Sequence, residues 1–360
     1  MKLGARIFKT GIAIILSLFL ADILNFPSPV FAGIAAIFAV QPTIYRSYLS
    51  IIEQIQGNLI GALIATAFVL TLGNNFFIVG LAAIIVITLN LKLRLENTIS
   101  LSLVTLIAIM ETPGGEFIEF AIIRFSTIIL GVVSAFIVNL VFLPPKYESK
   151  LYNRNAILTE EITRWIRICT RHASEHQPLK GDIESLKEAT FKLDQIYMLY
   201  KEEREYFKKN SIAKARRLVV YRQMITTTKK ALETLKRLHR YENEYSHIPE
   251  SFQEVLQQQL DVLVHHHEQV MLKFIGKVRP EAICMDGQPC LDKKELFNLF
   301  LEQQKKLADT DRAILYHVMQ LVSVIMEYAE QVEHLDTLVT SFLSFHKDDR
   351  EVKIETEREI

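Results

Sequence analysis

Six apolar runs fill the first 145 positions of the chain: Ile7–Leu24, Val30–Val40, Gly57–Leu72, Phe76–Leu91, Thr98–Met110 and Ala121–Leu143. Only the first and last reach the roughly twenty residues that a helix needs to cross a bilayer core. The others need polar ends, a thinner bilayer or protein neighbours. The second is the shortest; its eleven residues rise only about 16 Å as a helix. Pro27 and Pro29 open it and Gln41-Pro42 closes it. A polar connector follows before the apolar run resumes at Gly57. Such an interrupted segment is costly in lipid unless it is buried in protein or lines a cavity. Phe26–Ala67 is therefore the first place to look for function.

Beyond Pro144-Pro145 the period changes. Leu158, Ile162, Trp165 and Cys169 share one helical face, and Leu186, Thr190, Leu193, Tyr197 and Tyr200 share another. Leu218 to Leu235, Leu256 to Phe274 and Leu315 to Leu335 repeat the three-four spacing of a helix with one buried stripe. Pro178, Gly181, Pro249, Pro280, Gly287 and Pro289 punctuate the series, and no alternating strand pattern occurs. The expectation is an all-α protein. A six-helix transmembrane domain over 1–145 is followed by a cytoplasmic antiparallel bundle of five or six helices over 146–349, and a charged tail over 350–360.

Charge sharpens this division. Residues 1–145 hold seven Lys/Arg and six Asp/Glu, whereas the remainder hold 34 and 35. Neither half is strongly basic, which argues against a nucleic-acid partner. Lys2, Arg6 and Lys9 precede the first run, Arg46 follows the second, Lys92 and Arg94 follow the fourth, and Lys146, Lys150 and Arg154 follow the sixth. The alternate loops Asn25–Pro29, Gly73–Asn75 and Glu111–Phe120 contain neither lysine nor arginine. That alternation predicts six crossings with both termini in the cytoplasm. Val30-Phe31-Ala32 could pass for a signal cleavage site, but five apolar runs follow the first, so the N-terminal run reads as an uncleaved anchor. Cys169, Cys284 and Cys290 are odd in number and form no C-x-x-C, as in a reduced cytosolic domain.

Several polar residues fall at membrane depth. Asp22 and Arg124 lie toward the outer ends of their helices, near a loop bearing Glu111, Glu116 and Glu119. An unpaired charge at the centre of a membrane helix costs about 2.5–3.5 kcal/mol on insertion scales, and less near the interface. Arg124 therefore pairs with a structural carboxylate or awaits the carboxylate of a substrate, with Asp22 or Glu111 as titrating partner. Asn58 bonds a neighbouring helix or faces a substrate path. Gln41 and Pro42, at the break, are further path candidates, and Glu53 and Gln54 line an entrance or face water. Gly57 and Gly61 form a G-x-x-x-G that packs helices within the chain or between two copies. The three adjacent imidazoles of His265, His266 and His267 fan out by about 100° each on a helix, so they cannot converge on one metal. No phosphate-binding glycine loop, nucleophile elbow or zincin motif occurs, so neither a cofactor nor an enzyme activity is expected.

The proline-flanked second run ending at Gln41-Pro42, followed by Gln56-Gly57-Asn58-Leu59-Ile60-Gly61-Ala62, resembles the aromatic acid exporter family within the fusaric acid resistance-like superfamily. The layout is similar too, in the half-length form of Gram-positive bacteria. Many members have Gly-Thr where Gly57-Asn58 stands and Trp near Phe31. The resemblance implies proton-coupled efflux of aromatic carboxylates across the bacterial inner membrane, and a single module implies a homo-oligomer. The competing reading is a non-transporting scaffold or sensor whose residues 146–349 bind a cytosolic protein.

Overall fold

The computed structural model describes residues 5–112, 117–141, 147–171, 176–203, 208–246, 248–278, 293–306 and 312–345. Regular structure among them is entirely helical, and the chain divides into two compact units, Met1–Pro145 and Lys146–Ile360.

The first unit contains α1 (Ala5–Ile23), α2 (Val30–Ala39), α3 (Ile44–Leu72), α4 (Phe76–Lys92), α5 (Ile99–Met110, entered through a 3-10 turn at Glu96–Thr98) and α6 (Phe117–Val141). The polar connector expected between the second and third runs is helix. Thr43 accepts a hydrogen bond from the Arg46 N–H at 3.1 Å, and α3 then runs unbroken through Gly57. Its polar residues do not interrupt a span. Ser47, Ser50, Gln54 and Asn58 recur every three or four positions and are all buried, while Tyr48, Leu49, Ile55 and Leu59 face outward. The stripe is amphipathic with its polar side inward.

The same inversion holds across the unit. Many of its buried positions are small or polar, Ala13, Ala32, Ala36, Ala65 and Ala82 beside Ser17, Asn90, Thr105 and Asn139, although Leu106, Ile109 and Met110 are buried too. Large apolar residues such as Phe19, Leu63, Phe76, Phe77 and Ile122 are exposed. Without water to drive apolar burial, membrane helices associate through small residues and interhelical hydrogen bonds, which is the pattern here. α3 and α6 contain stretches, Tyr45–Leu72 and Ile118–Val141, long and apolar enough to cross a membrane; α2, α4 and α5 are shorter apolar helices.

The second unit has ordinary polarity. It comprises α7 (Tyr147–Thr170), α8 (His176–Glu202), α9 (Lys208–Arg240), the short α10 (Glu242–Ser246), α11 (Glu250–Phe274), α12 (Lys293–Lys306) and α13 (Arg312–Phe345). One continuous core runs through it, including Leu151, Ile162, Leu193, Tyr221, Leu235, Leu263, Tyr328 and Val339. Cross-links fix the register. Arg217 meets Glu148 at 3.0 Å and Thr228 meets Thr159 at 2.9 Å, so α9 runs parallel to α7 with α8 returning between them. Lys230 meets Glu327 at 2.6 Å and Arg237 meets Gln320 at 2.8 Å, so α13 runs antiparallel to α9. Lys273 meets Asp336 at 2.7 Å and His267 meets Tyr328 at 2.8 Å, which sets α11 parallel to α13. The bundle is therefore mixed rather than uniformly antiparallel. Pro144-Pro145, Cys284, Cys290 and the tail from residue 350 lie outside the described residues.

Candidate functional site

Arg124, on α6, is 3% exposed. Its guanidinium carbon lies 3.9 Å from the centroid of the Phe31 ring on α2, and Nη2 donates a long hydrogen bond, 3.5 Å, to the Val104 carbonyl on α5. Nε and Nη1 are buried with no hydrogen-bond partner among the described residues. Stacking on an aromatic face contributes about 0.5–2 kcal/mol, far less than full solvation of a cation. The guanidinium is held in place but not satisfied. The carboxylates expected beside it are elsewhere: Asp22, at the end of α1, and Glu111, just past α5, are both exposed and make no ion pair with it. Glu116 lies outside the described residues.

One turn of α5 connects Arg124 to a second polar group. Thr105, next to Val104, donates a short hydrogen bond to Asn58 Oδ1, and Asn58 Nδ2 donates to the Gln54 carbonyl at 2.7 Å. Gln54 in turn donates to the Ala35 carbonyl on α2 at 3.2 Å. Gln54 also lines a cavity of about 60 Å³ between α3 and α6, otherwise walled by apolar side chains that include Ile51, Phe125 and Ile128. Ligand pockets usually occupy about 300–1,000 Å³, so this cavity is too small to hold an aromatic acid as it stands.

A third polar group holds the corner between α2 and α3. The last carbonyls of a helix lack intrahelical partners. Here Phe38 O accepts from Ser50 Oγ at 3.2 Å and Gln41 Nε2 at 3.0 Å, and Ala39 O accepts from Ser47 Oγ at 3.1 Å. Asn139, on α6, donates to Gln41 O at 3.1 Å and to Ser47 Oγ at 2.7 Å, and its Oδ1 accepts from Lys9 Nζ on α1 at 3.2 Å. One amide thus ties α1, α6 and both sides of the break. Pro42 sits half-buried in this corner. Neither Thr105 nor Asn139 stood out in the sequence; each is one of several polar residues inside an apolar run.

Gly57 and Gly61 face α5. A Cβ on Gly57 would sit 3.1 Å from Thr98 O, and one on Gly61 would overlap the Ser102 carbonyl. Asn90, on α4, completes this contact by donating to Ser102 Oγ at 3.3 Å and accepting from Thr98 Oγ1 at 2.7 Å. Gly131 plays the same part between α6 and α2, against the backbone of Ala32.

In the second unit the imidazoles diverge. His267 is fully buried against the Tyr328 hydroxyl, and burial pushes its pKa down to about 3. His266 lies 3.9 Å from Asp336, also with a lowered pKa through burial, while His265 contacts Gln269 at 2.8 Å. Among the described residues no group of three or more His, Cys, Asp or Glu could hold a metal ion.

A helical unit with buried polar stripes and apolar outer faces defines the chain as a membrane protein. Comparison with known proteins agrees. The family described as aromatic acid exporter family member 1 matches residues 1–142, and that described as aluminium activated malate transporter matches residues 97–314. The UPF0421 protein YgaE of Bacillus subtilis strain 168 is 54% identical over 356 residues, 99% of this chain and 100% of that one. UPF0421 protein OB2406 of Oceanobacillus iheyensis is 28% identical over 48% of this chain and 51% of its own length. A UPF0421 protein of Bacillus cereus strain ATCC 14579 is 30% identical over 41% and 42%. The chain belongs to the UPF0421 family, within the fusaric acid resistance-like superfamily.

Proposed function

We propose that this protein exports small organic acids, aromatic carboxylates foremost, across the bacterial inner membrane, with Arg124 as the anchor of the substrate carboxylate. The observation that carries the reading is the buried guanidinium seated on Phe31, with no carboxylate partner and with Nε and Nη1 unbonded among the described residues. Nε and Nη1 point to different sides of the guanidinium plane's edge, so each offers one charge-assisted hydrogen bond to an anion, and a bound carboxylate offsets the cost of the buried charge. The matches to exporter and malate transporter families support organic acids as the cargo class. Six crossings with both termini in the cytoplasm follow from the alternation of Lys and Arg among the loops. The path runs between α2, α3 and α6, past Gln54 and Asn58, to the corner at Gln41-Pro42. Because the cavity there is about 60 Å³, α3 and α6 must part to admit a substrate. The chain carries no nucleotide-binding motif, so an ion gradient or the membrane potential drives the step.

Inverted vesicles containing only the purified protein, given a pH gradient and a panel of aromatic acids with malate alongside, test this. Hydrogen bonds to a charged group are worth about 1.5–3 kcal/mol, so Arg124→Ala should raise the half-saturating concentration roughly 10–100-fold. Arg124→Lys, which keeps the charge but loses the fixed planar donors, should fall between. Equal transport by Arg124→Ala and wild type would remove Arg124 from the mechanism, and no transport of any acid would favour a scaffold or sensor.

A further inference from the structure

α9 carries eleven lysines and arginines against the single carboxylate of Glu233. Its first third lies at one defined end of the bundle. Arg217 and Tyr221 bond Glu148 in the first turn of α7, and Arg216 lies 5.1 Å over the ring of Phe345 at the end of α13. This is also the end at which the chain enters the bundle, since Tyr147 follows the unit boundary at Pro145 by two residues. The outward face there is not a usual solvated surface. Ile212 is 62% exposed, Val219 53% and Phe345 71%. They alternate along α9 and across to α13 with the exposed Arg216 and Arg222, and Lys150 is exposed one turn into α7. The carboxylates described at this end are Glu148, which Arg217 takes, Glu202 and Glu203 at the end of α8, and, further back along α13, Glu333 and Asp336, the latter paired with Lys273.

We infer that this end of the bundle is a docking surface for the anionic headgroups of the cytoplasmic leaflet. Basic side chains alternating with large apolar ones form the pattern of a surface that inserts shallowly into a bilayer while its charges stay at the phosphates. An acidic protein partner would match the charge equally well. What favours lipid is that the chain enters the bundle at this same end, two residues past the boundary of the unit that carries the long apolar helices. The inference rests on the cytoplasmic placement proposed for this unit, but not on transport.

The full-length protein in nanodiscs gives the test, with Phe345→Trp as reporter and the wild-type Trp165 signal as reference. Brominated phosphatidylglycerol should quench the new tryptophan, brominated phosphatidylcholine alone should not, and 0.5 M salt should reverse the quenching. Each basic residue near an anionic surface contributes about a fivefold preference, so Arg216→Ala with Arg222→Ala should lower the docked-to-undocked ratio roughly 25-fold. Should Phe345→Trp express poorly, Ile212→Trp reports on the same face. A tryptophan at 345 or 212 left unquenched in anionic discs, or quenched equally in neutral ones, overturns the proposal. Protection of this face by an acidic protein instead of by lipid would overturn it as well.

Discussion

Replacing Gly131 by alanine tests whether the contact between α2 and α6 sets the geometry at Arg124. A Cβ there would lie 2.8 Å from both the carbonyl carbon and Cα of Ala32, and nearer still to its oxygen. Carbon atoms pack at about 3.5–4.0 Å, so the two helices must separate by about 1 Å. Backbone cannot rotate out of the way as a side-chain tip could. Overpacking of this kind costs about 1–3 kcal/mol. Phe31 precedes Ala32, and Arg124 lies seven residues, about two turns, before Gly131. The same separation therefore lifts the guanidinium off the ring that seats it. Gly80→Ala is the control, because nothing lies within 4 Å of its Cβ position. There the better helix propensity of alanine should be neutral or stabilising by up to about 1 kcal/mol. Denaturant titration of the purified full chain in detergent, alongside the vesicle assay, reads both effects. The propensity gain is common to both helical sites, so Gly131→Ala should be less stable than Gly80→Ala by about 1–3 kcal/mol and should transport more slowly. Equal stability of the two variants would refute the close approach of α2 to α6.

Asn58→Leu leaves the Thr105 hydroxyl without its acceptor, and adding Thr105→Val removes the orphan. A double-mutant cycle in detergent should give a coupling of about 0.6–1.7 kcal/mol, and zero coupling would mean that the pair is not formed. His267, held neutral by burial with a pKa of about 3, binds protons more readily in the unfolded chain, whose histidine titrates near 6.5. Stability is then fully present above about pH 6.5 and falls by about 1.4 kcal/mol per pH unit between there and pH 3. His266, lowered in the same direction, steepens the fall. Unfolding midpoints measured from pH 8 to 4 should show this slope, and His267→Gln should reduce it; a flat profile would contradict the burial.

The two-part organisation could be read from the apolar runs, and the core of the second unit from its stripes. Leu158, Ile162, Leu193, Leu235, Leu263 and Val332 all lie in it. What the runs concealed was the nature of α3. Ser47, Ser50 and Gln54 lower the local hydropathy, so a hydropathy reading breaks the helix where it is most tightly held. In lipid the polar side of a helix faces its neighbours, and an average over a window cannot see which side that is. The partners of Arg124 were out of reach for a related reason. Charge arithmetic proposes Asp22 and Glu111, but the structure sets the guanidinium on Phe31, a contact between residues 93 positions apart with no signature in either run. The parallel pairing of α7 with α9 was equally hidden, since a stripe tells which face is buried and not which way the neighbour runs.

The ten residues of α2 rise about 15 Å, half the roughly 30 Å of hydrocarbon that α3 and α6 can span beside it. The Phe38 and Ala39 carbonyls at its end are already met by Ser47, Ser50 and Gln41, so these two do not need a further helical turn to satisfy them. An electric field does not fall evenly through such a wall. Where the low-dielectric layer is half as thick, the transmembrane voltage drops over about half the distance and the local field roughly doubles. A full crossing by one elementary charge is worth about 2.3 kcal/mol per 100 mV. With the cell interior negative, an organic anion leaving past α2 would take up most of that energy in one short step. If the chain exports anions as proposed, the shortness of α2 would then give the membrane voltage a direct hold on the direction of transport.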